Sequence, residues 1–437
     1  MWVSLVGTAS SEQLKDYVKC SKKAKKVLPS VVNKEVAEFE ESTDNAVRSV
    51  KVLYCKGLIS KEKYKSVRQS LYMKSDGNSA RRSCIKVSGV KVPKILTYEK
   101  VISFLKSIQV GEVIDMKSEF CGNLWEDEQV EGAFRQLEDF LLELANLYIH
   151  VDKVLSKEGS PFFHHFNEAP YQFKVAIGAY GAPFGKDDEA TASLLSFINV
   201  GERIASHNEN FLLAGANCSE SQVVMKLYAK KLVSDIAYVE SKRYTMAGYP
   251  VQFKFKLVPS DMKWLATFAG ELSNAAHYFS SFANVHDGNK YTVNGAIGEV
   301  WTVGYAIPFH NAALFREFGF GLGINTMQGR EAKHVTLSSF ARHATLSTRW
   351  SLVMRHEYIS AIWLRKIDPF HFRYAKCKDK YIPKEAHLPE FCYCGFKLDE
   401  NEAKCFYCSS SLYEAISRSA QKGELDDEIC NMLSVSS

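Results

Sequence analysis

The clearest chemical signature of the chain is a set of four cysteines close to its C-terminus. One residue separates Cys392 from Cys394, two separate Cys405 from Cys408, and ten lie between the two pairs. Two close thiolate pairs joined by a short loop suit tetrahedral zinc, because each pair can turn around the metal as a knuckle. The spacing predicts one structural Zn²⁺ bound by these four cysteines within residues 392–408.

Two alternatives to this ligand set remain open. The first pair is one residue shorter than the usual Cys-x-x-Cys, so Cys377 or His387 can replace one of its members. All four cysteines can also be unligated thiols, since the odd count of eleven cysteines favours a reducing, intracellular compartment. A closed four-thiolate site has no open coordination position, so this zinc would be structural and not catalytic.

A second group of residues consists of acids that can serve metal-dependent chemistry. Asp261 follows an alternating strand pattern at residues 251–258, and Glu331 lies at the start of a predicted helix within residues 327–334. Carboxylates at such positions can share Mg²⁺ or Mn²⁺ in phosphodiester chemistry. The simpler interpretation is that Asp261 caps the following helix and Glu331 forms a surface ion pair.

Basic residues supply candidate contacts to a polyanion. Residues 1–110 contain 22 Lys and Arg against 10 Asp and Glu, a net charge of +12, so the remaining 327 residues carry −7 of the overall +5. This asymmetry favours a nucleic-acid partner, which we expect to be DNA, although a solvated lysine-rich surface would give the same count. The candidate DNA contacts are two residues beside Glu331, Arg330 and Lys333, and four clustered lysines, Lys22, Lys23, Lys25 and Lys26.

The N-terminal elements that must position these groups are predicted to be helical. Residues 11–75 have helical spacing, with a first helix ending at Pro29, a second over 44–55, a break at Gly57 and a third capped by Ser60. Two helices around a glycine turn, the second one basic, are compatible with a DNA-binding hairpin or with a purely structural pair. No stretch approaches the roughly 18 apolar residues of a membrane span, so we expect no membrane partner.

The rest of the chain alternates between helices and strands. Residues 75–94 resemble a basic linker, and an apolar stripe predicts a long core-facing helix over residues 127–155. The pattern then predicts strands at residues 173–178, 211–216 and 251–258, a helix over 222–241, and mostly helical structure over 311–366. We therefore expect an α/β fold between helical ends.

Several stretches of the sequence resemble a family of transposon-derived proteins. The stretches are residues 178–188, residues 208–212, Asp261 with residues 270–274, and residues 328–334 with residues 355–358. Those proteins are distantly similar to the Transib and recombination-activating type of DDE transposase. The resemblance covers about residues 160–437 and implies an RNase H-like mixed sheet, flanked by helices, that carries three acids for DNA strand cleavage and transfer. It assigns Asp261 as the second acid and Glu331 as the third.

The chain departs from that family at the first acid, where it has Tyr180. A phenol is neutral at pH 7 and is a poor ligand for a hard cation, so its presence should cripple two-metal catalysis unless Asp187 or Asp188 substitutes. The resemblance also implies a long insertion between the second and third acids, whereas Asp261 and Glu331 are only 70 residues apart and residues 285–310 carry no recognisable motif. Both departures indicate a truncated or degenerate copy.

These observations predict four regions. They are a basic, mainly helical DNA-binding region (1–105), a helical connector (106–160), a degenerate RNase H-like domain (161–345) and a helical C-terminal region with the zinc knuckle (346–437). We expect a nuclear, transposase-derived DNA-binding protein whose strand-transfer activity is impaired or lost. The alternatives are an active metal-dependent nuclease or transposase and a non-catalytic zinc-containing interaction module. The DNA target sequence and a homodimeric state stay open.

Overall fold

The computed structural model describes most of the chain between residues 21 and 372. The described residues are 21–55, 57–75, 82–87, 90–156, 162–166, 171–181, 184, 188–257, 314, 317–318, 328–342 and 344–372. Their helices are α1 (Lys22–Glu41), α2 (Thr43–Leu53), α3 (Lys61–Tyr72), α4 (Tyr98–Ser107), α5 (Met116–Phe120), α6 (Leu137–Leu155), α7 (Val223–Ser241), α8 (Gln328–Ala341), α9 (Arg349–Tyr358) and α10 (Leu364–Ile367). Their strands are β1 (Met73–Ser75), β2 (Arg82–Cys84), β3 (Lys86–Val87), β4 (Val90–Lys91), β5 (Ile114–Asp115), β6 (Gly132–Phe134), β7 (Gln172–Gly181), β8 (Thr191–Phe197), β9 (Phe211–Ala216), β10 (Tyr244–Met246) and β11 (Tyr249–Leu257).

The N-terminal helices follow the sequence pattern in part. Ser42 and Ser60 cap α2 and α3 by accepting hydrogen bonds from the backbone N–H groups of the residues three positions later. Gly57 lies between them with φ of +72°, a conformation that favours glycine. The prediction that Pro29 ends the first helix is wrong, because α1 continues to Glu41, where its later turns pack on α2 and β4.

The predicted basic linker is also wrong where the structure describes it. Strand β1 pairs with β2 and β3 with β4, both antiparallel, so two short ladders occupy this region. The predicted helix over residues 127–155 begins ten residues late, at Leu137. The preceding residues 132–134 form strand β6 instead, because they hydrogen-bond to β9 at the side of the main sheet. Tertiary pairing here overrides the helical periodicity.

The centre of the molecule is a mixed seven-stranded sheet in the order β10-β11-β7-β8-β9-β6-β5. Strands β7, β8 and β9 form an antiparallel meander, while β11 pairs with the other side of β7 in parallel. A parallel neighbour requires a crossover, and this crossover contains helix α7. The predicted α/β character is therefore confirmed. Residues 114–134, expected to belong to a helical connector, contribute β5 and β6 to the same sheet.

Helices cover both faces of the sheet. On one face the Tyr148 ring of α6 contacts the rings of Phe197 and Phe211 at centroid distances of 5.2 and 6.1 Å. The opposite face contains the cross-strand row Tyr180, Ala192 and Gly215 and is covered by α8 and α9. Successive residues of a strand point to opposite faces, so the alternation of β7 decides which of its side chains meet α8. The hydrophobic core is continuous from α2 to α10.

Candidate functional site

The site begins where the end of β7 meets the first turn of α8. The Tyr180 side chain is buried, and its hydroxyl donates a hydrogen bond to the Arg330 carbonyl oxygen at 3.2 Å. Burial raises the pKa of Tyr180 well above its usual value, so the phenol is neutral and keeps its proton at neutral pH. Residue 180 thus connects the central strand directly to the residue that precedes Glu331.

Most residues of the motif around Glu331 have structural contacts. A Cβ on Gly329 would lie 2.5 Å from Asn210 Nδ2, so α8 approaches the segment before β9 more closely than a side chain would permit. The His334 ring stacks on the Phe184 ring at a centroid distance of 5.6 Å. Glu331, by contrast, is exposed. It is the acid of this motif that solvent, or a ligand, can reach.

The two basic residues of this motif lie in the interior, which corrects their assignment as DNA contacts. The Lys333 side chain is only 2% exposed and its Nζ lies 2.7 Å from Glu357 Oε1, which is itself fully buried. Arg330 is 1% exposed, and its Nη2 donates to Ser196 Oγ at 3.4 Å. Burial lowers the pKa of Arg330 to about 10, which still leaves the guanidinium charged at neutral pH. Neither side chain can reach a phosphate backbone in this arrangement.

The stretch at residues 208–212 also serves to hold elements together. Glu209 is fully buried, and both of its carboxylate oxygens accept hydrogen bonds from Arg365, at 3.0 and 3.2 Å. The Tyr148 hydroxyl donates to the same carboxylate. The Asn210 amide donates to the carbonyls of Ile204 and Ser206, each at 2.8 Å. A buried ion pair of this kind ties α6, the 3₁₀ turn before β9, and α10 together.

The stretch at residues 355–358 connects α9 to the N-terminal helices and to α6. Arg355 donates to the Ile108 carbonyl at 3.0 Å, and the Tyr54 hydroxyl lies 2.6 Å from His356 Nδ1. Burial, and then the nearby Arg355 cation, lower the pKa of His356 to about 4, so the imidazole is neutral at pH 7. Burial raises the pKa of Tyr54, so the phenol is the donor and the imidazole the acceptor.

Asp188, one of the two acids considered as a substitute for the first acid, already has a partner. Both of its carboxylate oxygens lie within 2.9 Å of Arg349 Nη1, and Oδ2 also accepts from the Phe184 backbone N–H at 3.2 Å. Arg349 begins α9, whose next residue, Trp350, packs against Gly215 so closely that a Cβ there would overlap the ring. Asp188 therefore anchors the turn after β7 to α9. Asp187 lies outside the described residues.

One acid near this site is absent from the sequence predictions. Glu220 is 3% exposed, and its Oε1 would lie 3.2 Å from a Cβ built on Gly181, the last residue of β7. It follows β9 by four residues, at the end of the sheet where β7 ends. The sequence signal for Glu220 was its place as a polar residue shortly after a buried strand. Because β8 is antiparallel to both β7 and β9, those two strands end at the same edge of the sheet, and residues that follow them lie close together.

Several predicted site residues lie outside the described part of the chain. They are Asp261 and the four cysteines of the zinc prediction, Cys392, Cys394, Cys405 and Cys408. Lys22 is exposed at the start of α1, and Lys23, Lys25 and Lys26 belong to the same helix, although their side chains are not described. Within the described ranges, no three His, Cys, Asp or Glu side chains are grouped to hold a metal ion. No described helix is both long and apolar enough to cross a membrane.

Comparison with known proteins adds no relative to this description. No protein-family model and no curated protein matches the chain.

Proposed function

We propose that the chain is a transposase-derived DNA-binding protein whose RNase H-like domain has lost strand-transfer activity. The observation that carries the proposal is the path of the chain through the sheet. An RNase H-like sheet has an antiparallel meander whose first strand also pairs in parallel with the strand after the first crossover helix. Strands β7, β8 and β9 form an antiparallel meander, and β11, which follows α7, pairs with β7 in parallel; this path supports the proposed RNase H-like sheet.

The positions that the resemblance assigns to the acids agree with this topology. Leu257, at the end of β11, pairs with Ala176 of β7. In the sequence, Asp261 comes four residues after Leu257, and Tyr180 comes four residues after Ala176. Tyr180 in turn bonds to the residue before Glu331. These relations support the proposal for Tyr180 and Glu331, whereas Asp261 lies outside the described residues.

The residue at the first position does not fit a hard divalent cation. Tyr180 is a buried, neutral phenol whose proton is held by a backbone carbonyl, whereas Mg²⁺ and Mn²⁺ prefer carboxylate oxygens. The Tyr180 phenol therefore does not supply the first metal ligand that a cleavage step would need. The proposed activity is DNA binding without strand transfer, and its support is the net charge of +12 on residues 1–110.

The binding part of the proposal is tested with the basic N-terminal cluster. Changing Lys22, Lys23, Lys25 and Lys26 together to Gln should weaken duplex DNA binding at least tenfold at low salt and flatten its salt dependence, because fewer counterions are released. A matched control changes four exposed basic residues beyond residue 110: Lys153, Lys226, Lys230 and Arg243. Equal losses in the two variants, or no binding by the unmodified protein, would contradict the proposal.

The catalytic part is tested at residue 180. The unmodified protein should show no Mn²⁺-dependent cleavage of duplex DNA, and Tyr180→Asp should gain a measurable amount. Tyr180→Asn is the matched control, because asparagine has nearly the same shape as aspartate but carries no charge. The gain should disappear when Glu331→Gln is added to Tyr180→Asp. Robust cleavage by the unmodified chain would show that another acid serves as the first one.

The proposal includes one structural zinc ion bound by Cys392, Cys394, Cys405 and Cys408. Its support is the spacing of the two thiolate pairs. Purified protein should contain about one Zn per chain, and Cys405→Ser should lower that content, as measured by elemental analysis. Cys55→Ser is the control, since this cysteine is exposed and isolated from the quartet in sequence. Zinc content that does not change in Cys405→Ser would remove the site.

A further inference from the structure

A cavity of about 570 Å³ lies beside the exposed face of α8, between the end of α2, the 3₁₀ turn at residues 207–209, and the segment after α9. Its volume is in the range of sites that hold small organic ligands, about 300–1,000 Å³. The wall formed by α8 includes Val335, which lies one helical turn from Glu331 and is likewise exposed. Residues four apart on a helix share one face, so the cavity borders the surface that carries the Glu331 carboxylate.

The charged and titratable groups of the cavity wall are mostly nitrogen bases. The described lining contains no Asp or Glu, but it includes Lys333, Arg342, His207 and His371. The Lys333 charge is offset by Glu357, which leaves the exposed guanidinium of Arg342 as the main cation. Burial, and then the Lys333 ammonium, lower the pKa of His207.

The helix after α9 is distorted at the same place. Residues Ile359–Trp363 form a π-helical turn, and two of them, Ser360 and Ala361, contribute to the cavity wall. Such turns occur often at functional sites, because the widened backbone displaces side chains from regular helical positions. The distorted helix and the Arg342 cation are independent observations that coincide at one cavity.

We propose that this cavity binds a phosphate monoester, either on the end of a DNA strand or on a free nucleotide. Arginine presents a planar fork of donors that matches phosphate oxygens, and no described carboxylate of the wall opposes the anion. A phosphate on a strand end held here would face the exposed Arg342 guanidinium. This use of the cavity rests on the proposed DNA-binding function, whereas binding of a free nucleotide does not.

The test compares single-stranded oligonucleotides that differ only in a 5′-phosphate, together with free thymidine monophosphate, by fluorescence competition. The phosphate should improve binding about tenfold, and Arg342→Gln should remove most of that gain. Arg243→Gln is the matched control, because Arg243 is also exposed and is not among the residues of this cavity. Circular dichroism and thermal melting check that both variants are folded.

The outcomes separate this inference from the function on which it rests. Loss of the phosphate gain in Arg342→Gln alone supports the cavity as the site. Equal affinity for the oligonucleotides with and without phosphate, or equal losses in the two arginine variants, overturns it. If the N-terminal lysine variant loses DNA affinity but keeps the phosphate gain, both proposals stand. If thymidine monophosphate binds through Arg342 and duplex DNA does not bind at all, the cavity stands and the DNA function fails.

Discussion

The Lys333 ammonium lies 2.7 Å from the Glu357 carboxylate, and neither side chain is more than 2% exposed. A buried ion pair is costly to break, because the remaining charge stays in a medium that solvates it poorly. Lys333→Met should therefore destabilise the protein by about 3–5 kcal/mol, measured by urea denaturation. Adding Glu357→Gln removes the orphaned charge and should restore most of the loss. If Lys333→Met keeps its stability and weakens only DNA binding, the lysine is a phosphate contact after all.

His356 makes the stability of the fold depend on pH. Its pKa is lowered from its usual value near 6.5 to about 4, so between these pH values the unfolded chain binds more protons than the native protein. The free energy of unfolding should therefore fall as the pH is lowered through this window, by up to about 3 kcal/mol from this residue. His356→Gln should make the decline shallower, as measured by urea denaturation at each pH. His150→Gln, at an exposed position, is the control variant. The same slope in the unmodified protein and in His356→Gln would contradict the assignment.

At the level of single residues, the sequence was most informative where backbone geometry restricts the choice of residue. Ser60 as a cap and Gly57 as a break were both predictable, because few residues satisfy those positions. The burial of Arg330 and Lys333 was not predicted, since basic residues beside an acid suggest a surface. A signal was nevertheless present. Residues 330, 333, 337 and 340 recur at spacings of three and four, and all four belong to the buried stripe of α8.

At the level of elements, the close approach of α8 to the turn before β9 depends on Gly329. Gly329→Ala would place a methyl group 2.5 Å from Asn210 Nδ2 and would also overlap the Ile204 carbonyl. Because a backbone atom is involved, the helix must move, and we expect a loss of about 1–3 kcal/mol in the free energy of unfolding. Gly122→Ala, where no heavy atom lies within 4 Å of the new methyl group, is the control. A loss no larger than that of Gly122→Ala would show that α8 moves away without cost.

The elements that the sequence predicted have a regular apolar pattern. The strands β7, β9 and β11 and the helix α7 all appear within a few residues of the expected bounds. Strand β8 was not predicted, although it is the central partner of β7 and β9. Its sequence, Thr-Ala-Ser-Leu-Leu-Ser-Phe, does not alternate, and all seven residues are buried because the strand is covered on both faces. The short strands β5 and β6 carry too few residues to show a period, and their pairing depends on the distant strand β9.

At the level of the whole molecule, the basic N-terminal quarter is not a separate appendage beyond α1. Tyr54 bonds to His356, Lys51 lies 2.5 Å from Asp368, and Arg355 donates to the Leu105 and Ile108 carbonyls. Residues from α2 and α4 also belong to the continuous hydrophobic core. The charge asymmetry that suggests a DNA-binding region therefore does not mark the boundary of an independent domain.

This organisation predicts different results for two N-terminal deletions. Removing residues 1–41 keeps Ser42 as the cap of α2 and should lower the melting temperature by only a few degrees, because the core is left intact. Removing residues 1–110 deprives Arg355 and His356 of their partners and exposes apolar surface on α8 and α9. That variant should lose its cooperative thermal transition, as followed by circular dichroism and tryptophan fluorescence. If residues 111–437 instead melt cooperatively near the temperature of the full chain, the N-terminal helices form a separate unit. Loss of DNA binding in that folded variant would then assign the binding to the N-terminal helices. If the transition is lost, the DNA surface is located with the variant of Lys22, Lys23, Lys25 and Lys26, which leaves the residues of the hydrophobic core unchanged.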